Sequence, residues 1–285
     1  MGIIYDANRR CFYSSTTKQR LTGLHNCLEK RFYRIGSNFS TVKQLRFKNK
    51  KKQAKNGSKR KSDRGGMGKL MSGKIAQYRT PSGMGNFIDG QFGNVVNKAI
   101  EACPDSVSHR EHVYRVWTRQ ANQTVIVPAG VPKIPPEPRY KYHPYIKPGF
   151  RALLAKGLIP LKCQVVVGSE ERRVATKLDM MAWDKNRKQV AVIEVKSGYE
   201  GIWDVNTGVK TLLAPLESIP DTPHNKAHLQ ALCGAFLAKA TFGYSYTPRA
   251  YVLHMDSHGA KLESTPKDML AQSTQIMARF GKTAA

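Results

Sequence analysis

Three charged residues stand in two apolar segments that have the length and composition of buried β-strands. Glu194 and Lys196 belong to the β-branched run at residues 190–196, and Asp179 belongs to the apolar run at 178–183. Residues two apart in a strand point to the same face of a sheet, so Glu194 and Lys196 are neighbours there. Burying these charges is costly unless each has a partner. The three residues therefore predict a site with a chemical role.

A polar segment at residues 184–189 separates the two runs and is typical of a hairpin turn. A hairpin symmetric about its centre places Trp183 opposite Val190 and Asp179 opposite Glu194. Two facing carboxylates repel each other, and a shared divalent cation removes the repulsion. Mg²⁺ prefers such hard oxygen ligands, and a nearby lysine can polarise or deprotonate a metal-bound water. The spacing therefore predicts metal-assisted hydrolysis.

The order of these residues resembles the motif of the PD-(D/E)xK nuclease superfamily. Asp179 precedes the tripeptide Glu194-Val195-Lys196, and the next residues, 197–199, are similar to the motif ending of its RecB-like and lambda-exonuclease-like branches. The resemblance covers roughly residues 150–256. It implies an α/β restriction-endonuclease-like core, with a central mixed β-sheet flanked by helices. The charge pattern adds a basic N-terminal extension to this core. The alternative is a structural ion pair between Glu194 and Lys196, with Asp179 capping a strand end.

The resemblance also implies a set of metal ligands. Mg²⁺, for which Mn²⁺ can substitute, is expected on Asp179, Glu194 and the backbone carbonyl of Val195. Asp89, near the start of a predicted helix at 85–102, is a candidate for an additional ligand. The alternative for Asp89 is a first-turn aspartate favoured by the helix dipole.

Further residues are expected to act on the substrate. Lys196 orients or activates the attacking water, and Gln230, on a predicted helix at 222–241, positions the substrate. Related nucleases often carry Gln-x-x-x-Tyr at this place, but Gly234 stands at the tyrosine position. Gln164 lies on a predicted strand and is expected to face the site.

The charge of the chain indicates a polyanionic partner, and DNA is the expected one. The net charge is +27 over 285 residues. Residues 1–64 hold eighteen Lys and Arg against three acidic residues. We predict two parts: a basic N-terminal extension at 1–74, largely a disordered linker from about residue 43, and a nuclease domain at 75–285.

The predicted nucleic-acid contacts combine basic, aromatic and hydroxyl side chains. They are Lys50, Lys51, Lys52, Lys59, Arg60, Lys61, Tyr142 and Ser197. The basic run also resembles a bipartite nuclear localisation signal, and a non-specific polyanion-binding tail is the alternative.

Periodicity and capping residues predict the remaining elements. Helices are expected at 18–34, 85–102, 148–156, 222–241 and 265–280, and strands at 161–167, 172–183, 189–197 and 249–255.

His224 and His228 are one helical turn apart. Such a pair can bind a metal ion, and the alternative is an exposed helix start.

Five dispersed cysteines lack zinc-site spacing and indicate reduced thiols in an intracellular protein. The sequence contains no membrane-spanning stretch. The expected location is the nucleus or a viral or phage DNA compartment. A mitochondrial presequence in the first forty residues is the alternative.

The resemblance implies a Mg²⁺-dependent deoxyribonuclease, of exonuclease type, that leaves 5′-phosphates in DNA recombination, repair or genome processing. Such genes are common in large DNA viruses and phages, so a viral source is expected. No small-molecule cofactor is expected. Two alternatives stand beside this one: a non-catalytic basic DNA-binding or packaging protein, and an RNA-directed nuclease. The sequence does not distinguish the oligomeric state.

Overall fold

The computed structural model describes residues 3–33, 81–101, 145–199, 203–204 and 211–280, which form an α/β fold around one mixed β-sheet. Its strands are β1 (Ile3–Asp6), β2 (Cys11–Ser14), β3 (Arg20–Gly23), β4 (Leu158–Ser169), β5 (Val174–Asp184), β6 (Gln189–Ser197), β7 (Arg249–Asp256) and β8 (Gly259–Ser264). Its helices are α1 (Leu24–Arg31), α2 (Pro81–Glu101), α3 (Ile146–Ala155), α4 (Pro223–Phe242) and α5 (Asp268–Arg279). None of the helices in these ranges is long and apolar enough to cross a membrane.

The sheet is open, and its strands run in the order β1-β2-β3-β5-β6-β7-β8, with β4 on the opposite edge of β5. The pairs β3–β5 and β6–β7 are parallel, and the other pairs are antiparallel. Two different strands therefore share one edge of β5. β3 pairs with its start, and β6 pairs with its end.

The predicted hairpin is confirmed, because β5 and β6 pair with Trp183 opposite Val190. The Asp184 side chain stabilises the turn between β5 and β6. The Asp184 carboxylate accepts backbone N–H groups from Asn186 (3.0 Å) and Arg187 (3.2 Å) and the hydroxyl of Tyr251 (3.0 Å). Asp184 is buried, so these donors compensate for the loss of its hydration.

Apolar side chains cover both faces of the sheet. Val190 and Val192 of β6 pack in the core formed with α1, α4 and α5. Ala191 and Ile193 point the other way, into the core formed with α2 and α3. Since successive strand residues alternate between faces, the continuous apolar run of β6 is explained by burial on both sides.

Residues 3–33 belong to this sheet, so the predicted division at residue 74 is wrong for them. Thr22 and Gly23 pair with the start of β5, and Leu24 and Leu28 of α1 are buried in the same core as α4. Three short strands and an eight-residue helix are weak local signals. Their stability comes from pairing with a strand about 150 positions later in the chain. The predicted linker from residue 43 lies outside the described residues.

Local signals predict α4 well. Thr222 Oγ1 accepts the N–H of Asn225 at 3.1 Å, Pro223 occupies the first turn, and Gly243 ends the helix with φ of 67°. The predicted final helix is too long. It begins at Asp268 instead of residue 265, because the backbone N–H of Thr265 still bonds to the Ala250 carbonyl of β7 at 3.0 Å. The preceding residues form β8, which pairs antiparallel with β7 and was not predicted.

Candidate active site

The predicted catalytic residues lie where β5 and β6 separate. The ladder between these strands runs from Asp184–Gln189 to Met180–Ile193. Beyond it, Asp179 Oδ2 accepts the backbone N–H of Val195 at 2.9 Å. We call this place, residues 176–179 of β5 and 194–197 of β6, the β5–β6 fork. Where two strands stop pairing, the side chains and backbone groups beyond the last pair can contact a ligand.

The structure brings Asp179, Glu194 and Lys196 together at the β5–β6 fork. Lys196 Nζ donates a hydrogen bond to Glu194 Oε1. Glu194 is buried, while Asp179 and Lys196 are half-buried. The continued register sets Asp179 opposite Glu194, as the symmetry of the hairpin predicts. The site thus combines two carboxylates and one ammonium at the edge of the core.

Burial disfavours charge on both carboxylates, and the charge of Asp179 adds to this effect at Glu194. Burial, followed by the charge of Asp179, raises the pKa of Glu194 to about 8. Burial also raises the pKa of Asp179, against the opposing effects of Lys196 and the Val195 N–H. Burial opposes the charge of Lys196, but Glu194 and Asp179 outweigh it and raise the pKa of Lys196. Near neutral pH Glu194 therefore retains a proton, and Lys196 stays charged.

Helix α2 brings Asp89 towards this group. After burial and Asp179, Asp89 makes a smaller contribution to the raised pKa of Glu194. Its side chain is half-buried. A ligand role for Asp89 is compatible with this position, and it stays a prediction, as does the role of the Val195 carbonyl.

Gln164 lies beside Asp179 in an unusual backbone conformation. Its neighbours Cys163 and Val165 pair with Met180 and Leu178, which puts Gln164 opposite Asp179. The φ of Gln164 is 58°, in the left-handed region that non-glycine residues rarely adopt. Its side chain packs against Gly93 of α2, where an added Cβ would lie 3.8 Å from Gln164 Nε2. The local distortion of β4 therefore occurs next to the candidate catalytic carboxylate.

Gln230 lies on α4, which crosses the same face of the sheet as Glu194. Gly234, one turn later, packs closely on β5 and β6. A Cβ there would lie 2.8 Å from Leu178 Cδ2 and 3.8 Å from Val192 Cγ1. Because of this close approach, a larger side chain does not fit at Gly234 without movement of Leu178. Gln230 is half-buried, and its role in substrate positioning stays a prediction.

Ser197 is not placed for the predicted nucleic-acid contact. It is buried, and its hydroxyl donates to the carbonyl of Gly85 at 3.0 Å. This hydrogen bond links the end of β6 to α2. The neighbouring side chains of Lys196 and Tyr199 remain partly exposed. The other predicted contacts, Lys50, Lys51, Lys52, Lys59, Arg60, Lys61 and Tyr142, lie outside the described residues.

The N-terminal segment supplies residues near the site that the sequence pattern did not indicate. Tyr33 is buried, and its hydroxyl donates to the Lys226 carbonyl at 3.4 Å. Burial raises the pKa of Tyr33 well above its ordinary value, and Glu194 is among the smaller contributions. His25 lies close enough to Lys196 for that cation to lower its pKa, after the larger effects of burial and Glu29. The only sequence signal for this arrangement was the spacing of Leu24 and Leu28, which places both on one face of α1.

A concave surface adjoins this segment, between β2, β3 and α1. Three exposed cations line it, Arg10, Arg20 and Lys30, together with His25. We call it the basic groove. Thr176 of the β5–β6 fork also lines this surface, so the basic groove reaches the fork.

The pair His224 and His228 does not form an exposed helix start, because His228 is only 1% exposed. Burial and the neighbouring His224 lower the pKa of His228 to about 4. Glu263 of β8 approaches both rings. The sequence showed the spacing of the two histidines but not this third residue, because Glu263 reaches them through strand pairing.

Comparison with known proteins adds no family to this description. No protein-family model matches the chain, and no curated protein sequence matches it either.

Proposed function

We propose that the protein is a metal-dependent nuclease that hydrolyses phosphodiester bonds in DNA, on a core of the PD-(D/E)xK type. The observation that carries this proposal is the convergence of Asp179, Glu194 and Lys196 at the β5–β6 fork. An ion pair that only stabilised the sheet would not need a second half-buried carboxylate beside it.

The donor set fits a hard divalent cation. Two carboxylates share a site where burial disfavours both ionised forms and the charge of Asp179 further disfavours that of Glu194. A divalent cation would favour both ionised forms, and carboxylate oxygens suit Mg²⁺ or Mn²⁺. Asp179 and Glu194 would hold it. When bound, such an ion polarises a phosphoryl oxygen and lowers the pKa of a coordinated water.

Lys196 acts in this proposal as a hydrogen-bond donor and not as a base. In the metal-free site Glu194 and Asp179 raise the pKa of Lys196, so its ammonium has no lone pair there with which to take a proton. Donation from Nζ can orient the attacking water or stabilise the negative charge that develops on the phosphate. Of the two roles expected from the sequence, orientation is therefore favoured over deprotonation.

The basic groove supports a polyanionic substrate. Arg10, Arg20 and Lys30 are exposed on the side of the sheet that carries α1. The chain has a net charge of +27, so nonspecific attraction to phosphates is expected at low salt. A groove next to a hydrolytic site would hold the strand while its backbone reaches the β5–β6 fork.

Digestion of end-labelled single- and double-stranded DNA and RNA, with and without Mg²⁺, tests the proposal. We expect Mg²⁺-dependent DNA cleavage by the wild type. Glu194→Gln should lower single-turnover cleavage at least about a hundredfold, with DNA binding nearly unchanged, because it removes a metal-ligand charge outside the basic groove. Lys196→Arg should cost on the order of a hundredfold, since the bulkier forked group displaces the donor.

Glu171→Gln is the matched control, because Glu171 is an exposed carboxylate in the β4–β5 turn. Full activity of Glu194→Gln in saturating Mg²⁺ and Mn²⁺ contradicts the metal assignment. Near wild-type rates for Lys196→Arg reduce Lys196 to a counter-ion. Tight DNA binding without cleavage by the wild type supports the packaging alternative, and cleavage confined to RNA supports the RNA-directed one.

A further inference from the structure

A second group of ligand-type side chains lies between the start of α4 and the edge strand β8. His224 Nε2 is 2.8 Å from Glu263 Oε2 and 2.8 Å from His228 Nε2, and His228 Nε2 is 3.9 Å from Glu263 Oε2. One ligand atom from each residue lies within 4.8 Å of the others. Three atoms that carry lone pairs thus point to one place.

Hydrogen bonding alone does not satisfy this arrangement well. One proton on His224 Nε2 would have to serve both a carboxylate oxygen and a second ring nitrogen at equal distances. His228 is 1% exposed, and its Nδ1 has no hydrogen-bond partner among the residues that the structure describes. A cation that accepts all three lone pairs would make the close approach of Nε2 to Nε2 favourable.

The surrounding contacts prepare the three atoms for a metal ion. Asp204 Oδ1 is 2.9 Å from His224 Nδ1, so it can hold the ring proton there and leave the Nε2 lone pair free. Lys261 Nζ pairs with Glu263 Oε1, which leaves Oε2 for a second partner. An orienting carboxylate behind a histidine ligand is a common feature of zinc sites.

We propose that His224, His228 and Glu263 bind one transition-metal ion, for which Zn²⁺ is the best chemical fit. Two imidazole nitrogens and one carboxylate suit Zn²⁺ and leave a position for water. Nitrogen ligands discriminate against Mg²⁺, so this site differs in chemistry from the carboxylate pair at the β5–β6 fork. The two places are two strands apart, since Glu263 pairs with Val252 and Val252 pairs with Glu194.

The proposed ion would fasten α4 to the edge of the sheet. His224 and His228 belong to the first two turns of α4, and Glu263 belongs to β8. Trp203 lies beside them, stacked on His254 at 4.1 Å between ring centroids and 5.3 Å from the His224 ring. His254 pairs with Lys196 across β6 and β7. The ion would therefore stabilise the helix that carries Gln230 over the candidate active site.

Metal binding by the full-length chain, stripped with a chelator, tests the proposal. We expect one equivalent of Co²⁺ to give the visible absorption of a nitrogen-containing low-symmetry site, and Zn²⁺ to displace it and raise the melting temperature. Glu263→Gln and His224→Ala should weaken Co²⁺ binding at least about a hundredfold, and Asp204→Asn should weaken it roughly tenfold. Zinc retained after gel filtration, measured by mass spectrometry, gives the stoichiometry.

Two matched variants distinguish this site from metal binding elsewhere on the chain. His258→Ala removes an exposed histidine in the β7–β8 turn and should leave Co²⁺ binding unchanged. Glu194→Gln should also retain it, which distinguishes this site from the carboxylate pair. Glu263→Gln is the decisive variant if His224→Ala fails to fold by circular dichroism. Absence of Zn²⁺ and Co²⁺ binding in the wild type, or wild-type affinity in folded Glu263→Gln, overturns the proposal.

Discussion

Glu194 and Lys196 share a strand face, but the site affects their charges in opposite ways. Burial raises the pKa of Glu194 to about 8, with Asp179 adding to the effect. Burial alone would lower the pKa of Lys196, yet the same two carboxylates raise it. The metal-free site therefore holds one protonated carboxyl and one ammonium near neutral pH. Such a pair is ready to exchange a proton for a divalent cation.

This electrostatic arrangement predicts the pH dependence of stability. The pKa of Glu194 is about 8 when folded and 4.5 ordinarily, so between these values the folded state binds more protons than the unfolded state. Stability of the metal-free protein should therefore fall as pH rises from 5 to 8, by roughly 3–4 kcal/mol from this residue. Urea unfolding in EDTA at several pH values measures it.

The difference between variants isolates Glu194 from other titrating groups. Glu194→Gln should show a shallower loss of stability over the same range, and Glu171→Gln should follow the wild type. An unchanged pH dependence in folded Glu194→Gln would show that its carboxyl titrates normally.

Among the secondary-structure elements, α1 and β3 complete the region around the candidate site. β3 pairs with the part of the β5 edge that β6 does not occupy. Helix α1 follows β3 and packs on the face of the sheet that α4 also covers. Leu28 of α1 is completely buried, and Tyr33 packs beside Lys226 of α4. The N-terminal segment is therefore part of the scaffold that positions Glu194 and Lys196.

Leu28→Ala tests this role. Removing a buried leucine side chain should lower the free energy of unfolding by about 2–5 kcal/mol, because the lost packing leaves a cavity. Asn26→Ala, on the exposed side of the same helix, should change it by less than about 0.5 kcal/mol. Thermal and urea unfolding of both variants give the comparison. Equal stabilities would mean that residues 3–33 are an appended segment after all.

At the scale of the whole molecule, a concentration of positive charge lies next to the candidate site. The basic groove carries Arg10, Arg20 and Lys30, and Thr176 of the β5–β6 fork lines it as well. A phosphate backbone lying in this groove would release counterions from each contact. Its contribution should therefore appear in the salt dependence of binding more than in the rate of the chemical step.

Replacing Arg10, Arg20 and Lys30 together with alanine should weaken duplex DNA binding. The slope of log K against log salt concentration should decrease in magnitude by about 0.9 for each lost contact. Fluorescence anisotropy over a series of salt concentrations, with inactive Glu194→Gln as the background, measures this slope.

The matched control replaces three exposed lysines at the opposite, turn end of the hairpin, Lys156, Lys185 and Lys188. It removes the same charge and should change the slope less. Equal slopes for the two triple variants would mean that the basic groove is not the preferred path of the DNA.

Features that depend on near neighbours are readable from the amino-acid sequence alone. The apolar run of β6, the polar turn after Asp184 and the Thr222 cap of α4 are all set by residues within a few positions, so hairpin register and helix start were predictable. The meeting of distant segments, in contrast, emerges only in the folded chain. β3 joins β5, and Glu263 reaches His224, through pairings between residues far apart in the chain. Such contacts form because folding buries complementary surfaces against each other. The residues next to a strand in sequence do not determine which distant segment it will pack against.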